Sequence, residues 1–482
     1  MELTSIKTLG ELKAAGYQSL PIKEELRKNL IAKIKHGDVS FEGIHGYENS
    51  VIPQVERAIL AKHNINLLGL RGQAKTRIAR QMVNLLDEWI PVVKGSEIND
   101  DPFSPVSRYA INLIAEKQDN TPISWLHRNN RFAEKLATPD VSVADLIGDI
   151  DPIKAANLKL SYSNEEILHY GMIPRANRCI FVINEIPDLQ ARIQVSLFNI
   201  LQEGDIQIRG FNLRLNLDLL FVFTANPEDY TNRGSIITPL KDRIESQILT
   251  HYPPSINIAK TITAQEIELS KEQEESIHIP EAARELIEEV VFAARKSEYV
   301  DTKSGVSARL SISAMENLVS TAERRALANQ ENATSVRVSD FMGIIPAITG
   351  KVELLYEGEQ AGAEFVATKL IETAINTTYN RYFPEIKKLE KEEEHHDYHK
   401  IVDWFLEGNS LEIYDNVSSD EYAAELAKVD ALDSFVSKYV NATSENESLF
   451  YKELVIWNLS IVKKLSKSRF FDKQQFDDLL GL

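Results

Sequence analysis

The chain has 482 residues, with 54 basic against 72 acidic side chains and a net charge of −18, and its length leaves room for roughly two to four domains. That balance argues against general nucleic-acid binding, which rests on basic surface, though a local basic channel inside an oligomer stays open. The single cysteine, Cys179, excludes an intramolecular disulfide framework and fits a reducing compartment; with no apolar run of membrane-spanning length and no leader pattern at Met1-Glu-Leu-Thr-Ser-Ile-Lys7, a soluble cytoplasmic protein with no membrane partner is expected.

Residues 1–40 read as a short helical lead-in, most charged over 22–35. Gly43-Ile-His-Gly46-Tyr47 then precedes a helix expected over 52–61. The most informative stretch follows. An apolar run, Ile65-Asn-Leu-Leu68, leads into Gly69-Leu-Arg-Gly72-Gln73-Ala74-Lys75-Thr76, and Ile78, Met82, Leu85 and Leu86 then fall on one helical face. Strand, glycine-bearing loop, Lys-Thr and helix in that order make a phosphate loop. Backbone N–H groups at the positive end of a helix dipole face a polyphosphate. Lys75 would reach the β- and γ-phosphates, and the Thr76 hydroxyl would ligate Mg²⁺. Gly69, Gly72, Gln73, Ala74, Lys75 and Thr76, with Gly46 and Tyr47 upstream, form the expected nucleotide-binding set. The loop departs from GxxxxGK[ST] at Ala74, where alanine replaces the more permissive glycine.

From Ile65 to about Pro253 short β-like runs alternate with helical stretches, which predicts a parallel α/β sheet. Cys179–Ile183 is a continuous apolar run, as a central strand buried on both faces requires. It ends in Asn184-Glu185. Glu185 would polarise the attacking water at the carboxyl end of the strand, where ligands gather in open α/β sheets, and Asn184 would be a neutral oxygen ligand to Mg²⁺. Residues 189–201 read as a helix, and 205–217 alternate with period two on either side of Gly210, as in a hairpin. The next buried strand, over 219–223, runs on to Asn226, which either contacts the γ-phosphate or caps a turn before Pro227. Arg243 follows a short helical stretch and is a candidate arginine finger for a neighbouring subunit. Beyond Pro253-Pro254 the pattern turns helical over 282–296, 312–329, 338–352 and 365–382. Arg309 opens one of these helices and would report nucleotide state to it. A charge-dense linker helix is expected over 385–400, with His395, His396 and His399 read as part of its solvated face, and 401–482 as a last, acidic helical segment. The expected domains are 1–40, an α/β nucleotide-binding domain over 41–254, a helical lid over 255–385 and a C-terminal helical domain over 386–482.

Taken in order, Gly69–Thr76, Asn184-Glu185, Asn226, Arg243 and Arg309 resemble an AAA+ ATPase. Tyr170-Gly-Met-Ile-Pro-Arg-Ala-Asn-Arg-Cys-Ile-Phe-Val-Ile-Asn-Glu185, Thr224-Ala-Asn-Pro-Glu228 and Thr238-Pro-Leu-Lys-Asp-Arg243 look like the magnesium-chelatase ATPase subunit and the MoxR-like group, and Ala74 before Lys75 is familiar in MoxR-like loops. The resemblance covers about residues 40–350. It implies a parallel P-loop sheet with helices on both faces, a helical lid and an all-α C-terminal segment. It also implies ATP and Mg²⁺ as cofactors, a hexameric ring with pore-lining insertions at 141–151 and 206–217, and a partner protein carrying a von Willebrand A domain. The alternatives are the motor of a metal chelatase, a σ54-type activator and a nucleotide-locked scaffold with weak turnover. For the σ54 type, a Gly-Ala-Phe-Thr-Gly-Ala loop and a helix-turn-helix are missing from the sequence. The scaffold reading is suggested by Asn184. An acid at position 184 is expected to bind Mg²⁺ better and raise turnover, unless the Asn184 amide already donates to a neighbour.

Overall fold

The computed structural model describes residues 3–150, 153, 167–203, 205–206, 215–227, 235–386, 396–469 and 473–479. Residues 207–214, where a turn around Gly210 is expected, and Asp151, Glu228, the Lys/Glu run at 387–394 and His395 lie outside the described residues. The chain divides into two compact units, Met1–His251 and Tyr252–Leu482.

The first unit is built on five parallel strands: β1 (Ile65–Leu68), β2 (Phe132–Leu136), β3 (Cys179–Asn184), β4 (Leu219–Ala225) and β5 (Ser246–Leu249), in the order β5-β1-β4-β3-β2. The register sets Ile65 beside Val222 and Ser246, Phe181 beside Phe221, and Leu136 beside Asn184. Every residue of β3 and β4 is buried. Their alternate side chains go to two cores, which is why these strands read as unbroken apolar runs. Ile180, Val182, Leu220 and Val222 pack with Ile65 and Leu67 under α1 (Ile22–His36), α2 (Val51–Leu60) and α3 (Lys75–Gln81). Phe181, Ile183, Phe221 and Phe223 pack on the other face against Ile193 and Leu197 of α4 (Ala191–Glu203). The lead-in helix α1 belongs to this core. Glu25 on α1 accepts two hydrogen bonds from the Arg131 guanidinium, both 2.7 Å, and both side chains are almost fully buried. Asp205–Ile206 pairs with Leu215–Asn216 at the base of the hairpin, and Gly148–Ile150 pairs with Leu168–Tyr170.

The second unit has one continuous core that takes in residues from Ile277 to Phe476. Its helices include α5 (Ile256–Glu266), α6 (Glu281–Ala294), α7 (Arg309–Ala328), α8 (Ala363–Tyr382) and α9 (Glu445–Ile461). The single helix expected over 338–352 is instead a 3₁₀ stretch, Ser339–Ile344, followed by a short α-helix, Ile345–Thr349. Pro346 sits in the first turn of the latter, where its missing N–H and fixed φ start a helix but do not continue one. The C-terminal part is largely helical and also carries a small antiparallel sheet of β6 (Leu411–Tyr414), β7 (Ser466–Arg469) and β8 (Lys473–Asp477), in the order β6-β8-β7. Phe476 on β8 is fully buried beside Trp457. Among the described residues no helix is long and apolar enough to cross a membrane.

Glu288 on α6 is 2% exposed and accepts a 2.5 Å hydrogen bond from the Thr263 hydroxyl of α5. Burial pushes its carboxyl up to about 7, against the opposing pull of Thr263 and Arg295. The folded state therefore holds a proton that the unfolded chain releases near 4.5. The contribution of Glu288 to stability is greatest below the unfolded value and is lost as pH rises from about 4.5 through about 7. Glu288→Gln is expected to remove this loss, worth on the order of 3 kcal/mol at most. The check is the variant-minus-wild-type difference in urea unfolding free energy at pH 5 and pH 8. A difference that does not change with pH would mean that Glu288 ionises alike in both states.

Candidate nucleotide site

The site lies at the carboxyl ends of β1, β3 and β4. Gly69 follows β1 where the chain passes so close to its neighbours that a Cβ would meet Thr250 Oγ1 at 1.9 Å and Gln73 Oε1 at 2.2 Å. Only glycine fits there. Gly72 has φ +72° and Ala74 has φ +55°, so the loop asks for the left-handed region at the very position where alanine replaces glycine. A left-handed non-glycine residue carries backbone strain of roughly 1 kcal/mol or more, and such residues concentrate at functional sites. Glu185 is another, at φ +53°.

Lys75 opens α3 and is 7% exposed. Its ammonium donates to the Gly69 carbonyl, to the Leu70 carbonyl at 3.0 Å and to Asn226 Oδ1 at 2.7 Å, all of them neutral acceptors. The amide of Asn226 in turn donates to Glu185 Oε2 at 3.0 Å. A second line of contacts runs beside the first. Asn184 Oδ1 accepts from Thr76 Oγ1 at 3.4 Å and from Thr224 Oγ1 at 3.0 Å. The structure thus brings Lys75, Asn226 and Glu185 into one chain of polar contacts and Thr76 and Asn184 into another.

Upstream, Gly46 has φ +81° and leads to Tyr47, whose hydroxyl donates to the Gln73 carbonyl at 3.1 Å and to the His251 carbonyl at 2.7 Å. Gln73 Oε1 accepts from Thr250 Oγ1 at 2.7 Å. Tyr47 therefore ties the loop 69–76 to the segment after β5. Arg243 is held elsewhere: Nη1 donates to the Pro239 carbonyl at 2.7 Å, Nε to Gln202 Oε1 at 3.2 Å, and the guanidinium lies 5.0 Å from the Phe198 ring. Arg309 opens α7 in the second unit with its side chain exposed.

Two contributors escaped the sequence reading. Thr224, in the buried strand before Asn226, braces both the Asn184 side chain and the backbone N–H of Glu185, the latter at 3.2 Å. A hydroxyl inside an apolar run was a usable signal. Glu134 of β2 accepts from the Asn184 amide at 2.5 Å and pairs with Arg80 at 2.8 Å. No motif marks it; the strand register alone brings it there. With Asn184 donating to Glu134, an acid at position 184 would face a carboxylate, so the gain expected from that change does not follow in this geometry.

The donor set suits a nucleotide with its cation: an ammonium, a threonine hydroxyl, an amide oxygen and a carboxylate, the oxygen ligands that Mg²⁺ prefers. Residues 158–248 match the Sigma-54 interaction domain family. The matched stretch contains Glu185, Asn226 and Arg243 and ends at β5, leaving the phosphate loop outside it. Among solved structures, the chain is similar to a chain in the complex between subunits BchI and BchD of magnesium chelatase, at 18% identity over 67% of this chain and 98% of that one, with a TM-score of 0.34. It is also similar to a candidate ATPase of Cytophaga hutchinsonii, at 17% identity over 75% of this chain and 98% of that one, with a TM-score of 0.29. A third is NtrX of Brucella abortus, at 12% identity over 64% of this chain and 54% of that one, with a TM-score of 0.30. The first unit is a parallel sheet in the order β5-β1-β4-β3-β2, with the glycine-bearing loop 69–76 after β1 and helices on both faces.

Proposed function

We propose that the chain binds ATP with Mg²⁺ at this site, hydrolyses it at the subunit interfaces of a hexameric ring, and uses the cycle to remodel or activate a partner protein. In this reading it is a MoxR-like motor, and its partner carries a von Willebrand A domain. The observation that carries the nucleotide part is the pair of contact lines, Lys75–Asn226–Glu185 and Thr76–Asn184–Thr224, meeting at three adjacent strand ends. The ring and the partner rest on the motif resemblance.

Each residue has a part that follows from its chemistry. The Lys75 ammonium would donate to phosphate oxygens, a charge-assisted contact. Glu185, held by the Asn226 amide, would orient a water and take its proton. Thr76 and Asn184 would hold Mg²⁺, which when bound offsets phosphate charge. Tyr47 would keep the loop in register with the segment after β5.

Lys75→Ala tests the reading. It is expected to weaken binding of a fluorescent ATP analogue about ten- to a hundredfold, the worth of roughly 1.5–3 kcal/mol for a lost charge-assisted contact. Equilibrium titration of the folded variant is the measurement. Unchanged affinity would remove the phosphate-loop assignment.

The match over 158–248 favours a second reading, an activator acting on σ54-dependent transcription. The matched stretch carries no Gly-Ala-Phe-Thr-Gly-Ala motif, which weighs against it. Capture of partners with a Glu185→Gln trap separates the two: recovery of σ54 would favour the activator, and recovery of a von Willebrand A protein would favour the MoxR-like motor.

A further inference from the structure

We propose that Glu134 is a positioning residue for the nucleotide-bound cation, supplying through Asn184 the carboxylate charge that position 184 itself lacks. The inference rests on the nucleotide reading above. β2 and β3 run parallel with Leu136 beside Asn184 and Glu134 beside Val182. Glu134 is two residues from Leu136 and so shares the sheet face of Asn184, the face covered by α3. On that face the Asn184 amide is used at both ends. Its NH₂ donates to Glu134 Oε1, and its Oδ1 collects the Thr76 and Thr224 hydroxyls. A carboxylate accepting from the NH₂ end of an amide pushes electron density toward the carbonyl end. Asn184 Oδ1 thereby becomes a better ligand for a hard cation, as hydrogen-bond partners behind metal ligands do in general. Arg80 on α3 holds the other Glu134 oxygen at 2.8 Å and fixes the carboxylate's direction.

The arrangement also explains why position 184 is an amide. An aspartate there would set carboxylate against carboxylate at one contact, and neither oxygen could donate. Asn184 and Glu134 are one unit, with the charge moved to the neighbouring strand. The competing account is an ordinary ion pair. Arg80 is largely exposed and Glu134 about a quarter exposed, and such a pair contributes little to stability. That account gives Glu134 no influence on the cation.

The test is equilibrium titration of the full chain with a fluorescent ATP analogue, over a range of Mg²⁺ and in EDTA, with melting temperature recorded. Glu134→Gln is expected to raise the Mg²⁺ concentration for half-maximal binding about ten- to a hundredfold. Its affinity in EDTA should stay within about twofold of wild type. The double variant Glu134→Gln, Asn184→Asp, which moves the charge to position 184, is expected to recover Mg²⁺ dependence to within about threefold of wild type. This rescue also decides the matter if Glu134→Gln alone folds poorly. A Mg²⁺ curve for Glu134→Gln that overlies wild type, or a double variant no better than the single, would overturn the proposal. If wild type binds the analogue and Lys75→Ala does not, such a failure concerns Glu134 alone. If wild type binds no analogue, the nucleotide reading fails and takes this proposal with it.

Discussion

Arg243→Ala is expected to lower ATP turnover roughly a thousandfold, the size of effect seen when an arginine finger is lost, while nucleotide affinity stays near normal. The contacts of Arg243 explain the split. Its guanidinium is held by Pro239, Gln202 and the Phe198 ring, and the phosphate-loop residues are not among these partners. A positive charge fixed on the end of a short helix, Thr238–Lys241, in this way suits action on a neighbour's nucleotide. The check is steady-state ATPase with analogue binding measured in parallel. Mixing Arg243→Ala subunits with Glu185→Gln subunits should restore part of the activity, at interfaces that pair an intact Arg243 with an intact Glu185. Loss of analogue binding in the dilute variant would mean that Arg243 holds its own subunit's fold instead.

Glu453→Ala is expected to destabilise the second unit by about 3–5 kcal/mol, the cost of breaking a buried charged network on one side. Glu453 on α9 is fully buried and accepts four hydrogen bonds. The backbone N–H groups of Val338 and Ser339 donate at 2.7 and 2.8 Å, the Tyr422 hydroxyl at 2.7 Å and the Trp457 indole at 3.1 Å. The carboxylate thus satisfies the first turn of the 3₁₀ stretch at Ser339 from a residue more than a hundred positions away, where helix ends leave N–H groups bare. Burial raises the Glu453 carboxyl above its ordinary range, and the Tyr422, Val338 and Trp457 donors pull it back. Alanine would leave these donors without an acceptor and open a cavity beside Trp457. Glu453→Gln should cost less but remain destabilising, because its NH₂ would point at a donor. Urea unfolding of the full chain, followed by tryptophan fluorescence, is the measurement. A loss below about 1 kcal/mol would mean that water replaces the carboxylate.

Much of the first unit was legible in the sequence because its signals are local. A strand buried on both faces must be apolar throughout, so Cys179–Asn184 and Leu219–Ala225 announced themselves. The glycine-bearing loop 69–76 is continuous in sequence, and the close approach at Gly69 and the left-handed Gly72 are backbone demands that fix residue type. Pro346 was legible too, but the helical periodicity around it outweighed the break it causes.

What the sequence alone determined is therefore the order of strands, loop and helices, and the residue types at the strand ends. What only the tertiary structure decided is which of those strand ends meet across the sheet. Glu134 stands 50 residues from Asn184, and a glutamate in Phe-Ala-Glu-Lys-Leu has no pattern to distinguish it. It becomes part of the site through the parallel register of β2 and β3. Likewise Glu453 reads as one more charge on a helix until folding buries it against Val338, Ser339 and Tyr422. Local backbone chemistry is written in consecutive residues. The pairing of a buried charge with its donors is not, because the contact forms only after distant segments pack, and the desolvation that makes it count exists only then.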